Sequence, residues 1–172
     1  WQIMGIAIDT FGQYAGKAYE GQINDLSMAD VTTAVASVAI PFARAVVSAT
    51  VDKQGALPAA GAGFFLGISV RKPVGVSGNY MTGQVSDSGN TVGGYRLNEE
   101  VSLLSTGRIW VKTLSGATKG AQVYAVPLTG ELTNAATAGN HLLPGCVFKT
   151  TAAAGELALV QVKSDVTTTI AA

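Results

Sequence analysis

Short apolar runs with a two-residue repeat most constrain what this chain can fold into. The clearest run spans residues 63–70, where two sets alternate: Phe64, Leu66, Ile68 and Val70, against Phe65, Gly67 and Ser69. Successive strand side chains point to opposite faces, so this alternation predicts a strand with one preferred buried face. Turn signals recur about every ten residues after residue 60, as in β-sandwiches and β-barrels. Because strands and helices do not alternate, we expect no α/β fold.

Pairs of such runs predict hairpins. The pairs are 101–103 with 109–111 around a glycine turn at 105–107, 123–126 with 131–133, and 147–149 with 157–162. A hairpin is expected where two apolar runs flank a short connection that contains glycine. Residues 157–160 are apolar at every position, which predicts a strand between two packed layers, as in a sandwich or a closed barrel.

One segment has a helical pattern. Ser27 and Asp30 resemble an N-cap and its acidic third residue, and Met28, Val31 and Val35 share one helical face. We therefore predict an all-β, mainly β fold. It is a jelly-roll-like β-sandwich or a small β-barrel, with an extended N-terminal arm and at most one short helix.

We divide the chain into an extended N-terminal arm at 1–25, a single β domain at 26–165 with a glycine-rich loop at 73–95, and a C-terminal tail at 166–172. The arm is apolar but broken by glycines, and it packs on its own domain or on a neighbouring subunit. The loop is long enough to be functional or mobile. The β-prone tail is a frayed end or a strand added to a neighbour's sheet.

The charge balance excludes whole classes of partner. The 172 residues include 11 basic and 11 acidic side chains, and only 13% are charged where about 25% is usual. Nucleic acids and anionic membranes require clustered excess Lys and Arg, so neither is expected as a partner. The apolar stretch 34–49 is interrupted by Pro41 and Arg44, so no transmembrane helix is expected. We also expect no secretory signal and, with one cysteine, cytosolic synthesis.

The sequence contains no convincing catalytic, cofactor or metal site. Cys146 and His141 lie five residues apart, but a Cys–His dyad would lack an orienting third group. Residues 12–18 are one residue short of a phosphate loop and end on Ala where Ser or Thr is needed. Glu99 and Glu100 are adjacent and would face opposite sides of a strand, unlike a catalytic pair. With a single histidine, we expect no zinc site.

Apolar ends on a weakly charged β domain predict burial against other subunits, because a monomer would expose sticky patches. Arg44 is the oddest charge, set between apolar residues. It either guards a strand edge against aggregation or makes a polar contact at a subunit interface. The candidate contact residues are Trp1, Ile3, Met4, Phe11, Tyr14, Tyr19, Arg44, Tyr80 and Met81.

Seven segments together carry a family resemblance: 18–25 (AYEGQIND), 39–46 (AIPFARAV), 66–70 (LGISV), 107–111 (GRIWV), 120–124 (GAQVY), 143–146 (LPGC) and 159–162 (LVQV). Over residues 11–163 the chain resembles the structural cement, or head decoration, proteins of tailed bacteriophages. In that family Gly commonly follows the Ile-Pro-Phe of residues 40–42, but here Ala43 does. We therefore expect the backbone at Ala43 to avoid the positive φ that Gly tolerates well.

The resemblance implies a non-enzymatic virion protein with a β-rich, jelly-roll-like or barrel-like fold. Its partners would be the major capsid protein of a tailed phage and further copies of itself, as a homodimer or homotrimer. It would be made in the host cytoplasm, bind the outer surface of the capsid between capsomers, and brace the shell against packaged DNA. The alternative is a tail or receptor-binding β module of a phage virion.

Overall fold

Short apolar and β-branched runs form the secondary structure of this chain. The computed structural model describes residues 18–26, 28–72, 84–87, 90–164 and 166–171. Its strands are β1 (Asp30–Ala36), β2 (Ile40–Pro41), β3 (Ala45–Ser48), β4 (Gln54–Ala56), β5 (Phe64–Ser69), β6 (Gln84–Asp87), β7 (Asn90–Tyr95), β8 (Glu100–Lys112), β9 (Gln122–Ala125), β10 (Leu132–Thr133), β11 (His141–Phe148), β12 (Leu157–Lys163), β13 (Val166–Thr167) and β14 (Thr169–Ile170). These described residues include no helix, and the predicted all-β fold is confirmed.

Five strands close into a small barrel. β8 pairs with β1, β1 with β4, β4 with β3, and β3 with β5. The ring closes where β5 returns to β8, with Ile68 opposite Leu104 and Ser69 opposite Leu103. The β1–β4 pair is parallel and the other four are antiparallel. Of the two predicted architectures, the barrel is therefore the one that this chain adopts.

The long strand β8 carries the fold beyond the barrel. Its first half pairs with β1, and its second half pairs with β12 from Thr106 to Lys112. From β12 the sheet continues through β11 and β9 to β10. Ser105 has no opposite residue in the β1 register, because Leu104 pairs with Val31 and Thr106 with Asp30, so β8 is bulged where it passes from the barrel to this extension.

Two clusters of buried apolar side chains lie on either side of β8. The minor core consists of Ala34, Ala36, Ile40, Phe42, Val46, Tyr95, Val101 and Leu103. The major core consists of Ala43, Ala45, Phe65, Ile68, Leu104, Ile109, Val111, Ala117, Val123, Ala125, Leu132, Leu143, Cys146, Phe148, Ala158, Val160 and Val162. β8 supplies side chains to both clusters, and so does β3 through Ala45 and Val46, so these two strands separate the cores.

The alternation predicted for β5 is interrupted by a bulge. Gly67 pairs with Val46 and Phe65 pairs with Val47, so Leu66 of β5 has no opposite residue on β3. Phe65 and Ile68 consequently both enter the major core, while Phe64 is 44% exposed. The expectation that one of the two alternating sets forms a single buried face is thus wrong, because a bulge shifts the period.

The helix predicted from Met28 to Val35 is also wrong, since β1 occupies this segment from Asp30 onward. Val31, Thr32, Thr33 and Val35 are β-branched, which disfavours a helix and favours a strand. Pairing with β8 on one side and with β4 on the other then stabilises this segment as a strand. Ser27, the proposed N-cap, lies outside the described residues.

Of the three predicted hairpins, two are confirmed and one is wrong. β9 pairs with β10, and β11 pairs with β12, as expected. Residues 101–111, however, form one continuous strand rather than a hairpin. Gly107 does not make a turn. A Cβ there would lie 3.2 Å from the Cα of Ala29, so this glycine lets the preceding loop cross β8 closely.

The C-terminal strands pair within the chain. β13 pairs with β5 and β14 pairs with β11, so over residues 166–171 the tail is paired within its own chain rather than frayed. Addition of the tail to a neighbour's sheet stays a prediction. Within the predicted glycine-rich loop, β6 and β7 form a hairpin and β7 also pairs with β2. The division into arm, domain and tail remains a prediction.

The turn after β2 contradicts one expectation drawn from the family resemblance. Ala43 has φ +58°, in the left-handed region that glycine tolerates best. Its side chain is nevertheless buried in the major core. The turn is held by a backbone hydrogen bond from the Ala43 N–H to the Ser69 carbonyl, 2.9 Å long. Tertiary contacts therefore impose a conformation that Ala does not favour.

Candidate functional site

The described end of the predicted arm lies along β8 of its own chain. The Gly21 N–H donates to the Trp110 carbonyl at 2.8 Å, and the Trp110 N–H donates to the Gln22 carbonyl at 2.9 Å. The Asn24 N–H continues this ladder to the Arg108 carbonyl. Of the two interpretations of the arm, packing on its own domain holds for residues 18–25; residues 1–17 lie outside the described residues.

Gly21 brings this segment against the end of β5. The Arg71 N–H donates to the Gly21 carbonyl at 2.8 Å. Gly21 has φ +79°, and a Cβ there would lie 3.0 Å from the Arg71 nitrogen and 3.2 Å from the Phe42 Cβ. A side chain would therefore push the two segments apart. Between them lies a groove of about 370 Å³, lined by Tyr19, Gly21, Gln22, Ile23, Val70, Arg71 and Lys72.

Arg71 is held in this groove by aromatic rings. Its guanidinium carbon lies 5.3 Å from the ring centre of Tyr19 and 5.6 Å from that of Phe42. Nη1 donates a long hydrogen bond of 3.5 Å to the Glu20 carbonyl. Cation–π contacts of this kind fix a guanidinium without neutralising it. Within the described part of the chain, Arg71 has no carboxylate partner.

The charge of Lys72, the next residue, is balanced by a carboxylate. Its Nζ forms an ion pair with the Glu99 carboxylate and lies 4.4 Å from the Tyr95 ring centre. Glu99 also accepts the Arg96 N–H at 2.7 Å. Partial burial alone would raise the pKa of Glu99, but the hydrogen bonds from Lys72 and Arg96 outweigh it and lower that pKa. Glu99 is therefore ionised at neutral pH, and of the two cations that line the groove Arg71 is the one with no carboxylate partner among the described residues.

The minor core supports the groove from below. The rings of Phe42 and Tyr95 meet edge to face, with centres 5.6 Å apart and planes at 87°. The Tyr95 hydroxyl donates to the Val70 carbonyl at 2.7 Å, which fixes the strand end that carries Arg71 and Lys72. The two rings below these cations therefore belong to the minor core.

Arg44 lies inside the molecule. It is 6% exposed, and its Nη1 lies 3.4 Å from Glu131 Oε1 and 4.0 Å from Glu20 Oε1. Its backbone N–H donates to Ser69 Oγ at 2.9 Å. Arg44 stands between β2 and β3 rather than in a strand, so it does not guard a strand edge. A role in subunit contact remains a prediction, and the isolated chain offers a partner little of this side chain.

Among the other predicted contact residues, Tyr19 lies at the groove and is 59% exposed. The remaining ones lie outside the described residues: Trp1, Ile3, Met4, Phe11, Tyr14, Tyr80 and Met81. Sequence reasoning missed Arg71, Lys72 and Glu99 as a group. No short motif marks them, because their aromatic partners are distant in sequence and come together only when the barrel closes.

Cys146 and His141 have separate partners. Cys146 is buried with its Sγ 3.5 Å from the Lys163 carbonyl, and burial raises the pKa of its thiol to about 11. The two ring nitrogens of His141 lie 2.6 Å from the Ala59 carbonyl and 3.1 Å from Thr168 Oγ1. Neither side chain contacts the other, and a thiol of that pKa supplies little thiolate at neutral pH.

In the ranges that the structure describes, no three His, Cys, Asp or Glu side chains come together as a metal ion would require. Across those ranges there is also no helix of the length and apolarity needed to span a membrane.

Comparisons with known proteins agree with this architecture. A family profile described as structural cement protein (E217 gp24/Pam3 gp6) matches residues 8–163. No curated protein matches. A chain from the capsid of Myoviridae phage XM1 aligns with a TM-score of 0.69 and 21% identity, over 90% of this chain and 95% of that one, and shares the fold.

A second solved structure, the N base of the head fibre gp8.5 of bacteriophage phi29, aligns with a TM-score of 0.42 and 13% identity. That alignment covers 81% of this chain and 98% of that one. The family profile spans most of the chain, including the groove and both cores. The chain therefore belongs to the phage structural cement protein family, and it is a structural component of the virion rather than an enzyme.

Proposed function

We propose that this protein binds the outer surface of a phage head between capsomers, contacts the major capsid protein, and stabilises the shell against the pressure of packaged DNA. We further propose that it is made in the host cytoplasm and acts as a homodimer or homotrimer. The observation that carries the proposal is the family match over residues 8–163.

A cement protein requires no reaction, only a complementary surface that is repeated at every equivalent position on the shell. An interface that buries about 1,600 Å² is enough for specific, stable binding. Many copies reinforce one another, because opening the lattice means breaking several contacts at once. A net charge of zero lets copies approach the shell and each other without long-range repulsion.

The surface of the described residues supports this proposal. Several large apolar side chains are more than half exposed: Tyr19, Leu26, Met28, Val51, Leu97 and Leu128. Side chains of this type anchor protein interfaces when they are covered by a partner. The extensively paired barrel and its extension hold them on a rigid frame, which reduces the entropy lost on binding.

Add-back to heads that lack this protein tests the proposal. Purified protein is mixed with such heads, and we expect it to co-sediment with them to saturation and to raise the temperature at which DNA is released. Failure to bind heads of its own phage would contradict the proposal. Binding only to tails would favour the alternative of a tail or receptor-binding module.

A further inference from the structure

We propose that the groove between residues 19–23 and 70–72 binds a carboxylate on the major capsid protein, with Arg71 as the residue that recognises it. The inference rests on the proposed function and adds to it a position on this chain and the chemistry of the partner segment. That segment carries an Asp or Glu side chain that enters the groove and pairs with the guanidinium.

Charge complementarity identifies the occupant. Lys72 is matched by Glu99, whereas Arg71 has no carboxylate partner in the described part of the chain. A guanidinium presents a planar fork of donors that fits a carboxylate through two parallel hydrogen bonds. An acidic side chain of a partner would therefore balance the positive charge of Arg71.

The groove is also pre-organised for this contact. The Tyr19 and Phe42 rings lie about equally far from the Arg71 guanidinium, and the Tyr95–Val70 hydrogen bond fixes the strand end behind it. Little side-chain entropy then remains to be lost when a partner binds. The volume of about 370 Å³ is at the small end for binding pockets and suits a few side chains rather than a folded domain.

The test compares Arg71→Gln with Arg108→Gln in equilibrium binding to heads that lack this protein. Arg108 is an exposed arginine outside the groove lining, so its replacement removes the same charge elsewhere. We expect Arg71→Gln to weaken binding by about tenfold to a hundredfold, the usual range for a hydrogen bond to a charged group. Arg108→Gln should bind within about twofold of the unmodified chain, and Arg71→Lys should fall between the two because it keeps the charge without the fork.

Three results separate the inference from the proposed function. If the unmodified chain fails to bind heads, the proposed function fails and the inference fails with it. If the unmodified chain binds and Arg71→Gln binds equally well, the inference alone is overturned. If Arg71→Gln lowers the melting temperature by several degrees and leaves head affinity unchanged, Arg71 stabilises the fold without contacting the capsid, which also overturns it. Restored binding of Arg71→Glu by a single Asp→Lys or Glu→Lys replacement in the capsid protein would support it directly.

Discussion

The major and the minor core are separate clusters of buried side chains, and they serve different purposes. The major core is the larger cluster, and most of its side chains come from strands that do not line the groove, although Ile23 and Val70 of the groove lining pack against it. The minor core is smaller, and its Phe42 and Tyr95 rings lie directly under the cations that line the groove. The comparison teaches that the major core stabilises the fold and backs the apolar lining of the groove through Ile23 and Val70, while the minor core places two rings under its cations.

The largest expected effect comes from an aromatic deletion in each core. Phe148→Ala should lower the free energy of unfolding by about 3–5 kcal/mol, because Phe148 is fully buried in the major core. Phe42→Ala should cost less, since the adjoining groove lets the site collapse or fill with water. Urea unfolding at constant m-value measures both changes.

Head binding separates the same two variants. Phe42→Ala should weaken binding, because Arg71 loses one of its two rings. The folded fraction of Phe148→Ala should bind heads as the unmodified chain does. Equal affinities for both variants would contradict the division of roles between the two cores.

The next largest effect is expected where β5 and β8 close the barrel. Gly67→Ala would place a Cβ 2.5 Å from the Leu104 carbonyl oxygen at a residue with φ +147°. The β5–β8 closure must then shift, and we expect a loss of about 2 kcal/mol or more of unfolding free energy. Gly61→Ala is the matched control, since nothing lies within 4 Å of its Cβ and no change beyond about 0.5 kcal/mol is expected. Equal stability of the two variants would mean that the barrel does not close as described.

A smaller effect is expected where the C-terminal strands join the major-core sheet. Thr168 Oγ1 bonds to His141 Nδ1 and accepts the Gly63 N–H at 3.0 Å. Thr168→Val keeps the shape but removes the partner of the buried His141 ring and of the part-buried Gly63 N–H, so we expect a loss of about 1–3 kcal/mol. Amide exchange should accelerate at residues 166–171 first. The exposed control Thr167→Val should change neither quantity, and identical exchange in both variants would refute this role for Thr168.

The smallest effect concerns the turn at Ala43. Ala43→Gly loses a buried methyl group but relieves a positive φ whose cost is about 1–2 kcal/mol, so the net change should be near zero. Ala45→Gly loses a similarly buried methyl group from β3 with no such relief, and should destabilise by about 1–2 kcal/mol. Thermal unfolding of this pair measures the strain, and equal losses would show that there is none.

The sequence predicted the fold class and two of the three hairpins because those features depend on local periodicity and turn residues. It failed where a distant part of the chain set the conformation. Gly107 was assigned to a turn, but its role is to let the segment at Ala29 cross β8. The helix predicted around Val31 and Val35 became β1 because pairing with β8 and β4 outweighed a weak helical pattern.

The candidate site was even less visible in the sequence. Tyr19 was predicted as a contact residue from its size and position, and it does line the groove. Arg71 and Lys72 carry no recognisable motif. Their difference in charge compensation arises only because Glu99 reaches one of them and not the other. A site built from tertiary contacts of this kind has no local signal.

Cryo-electron microscopy of the virion that contains this chain tests the central claim most directly. The account predicts density for this barrel on the outside of the head, bridging capsomers, with the Arg71 groove facing the capsid protein and an acidic side chain within hydrogen-bond distance of the guanidinium. Density on the tail, or on the head with the groove open to solvent, would contradict it.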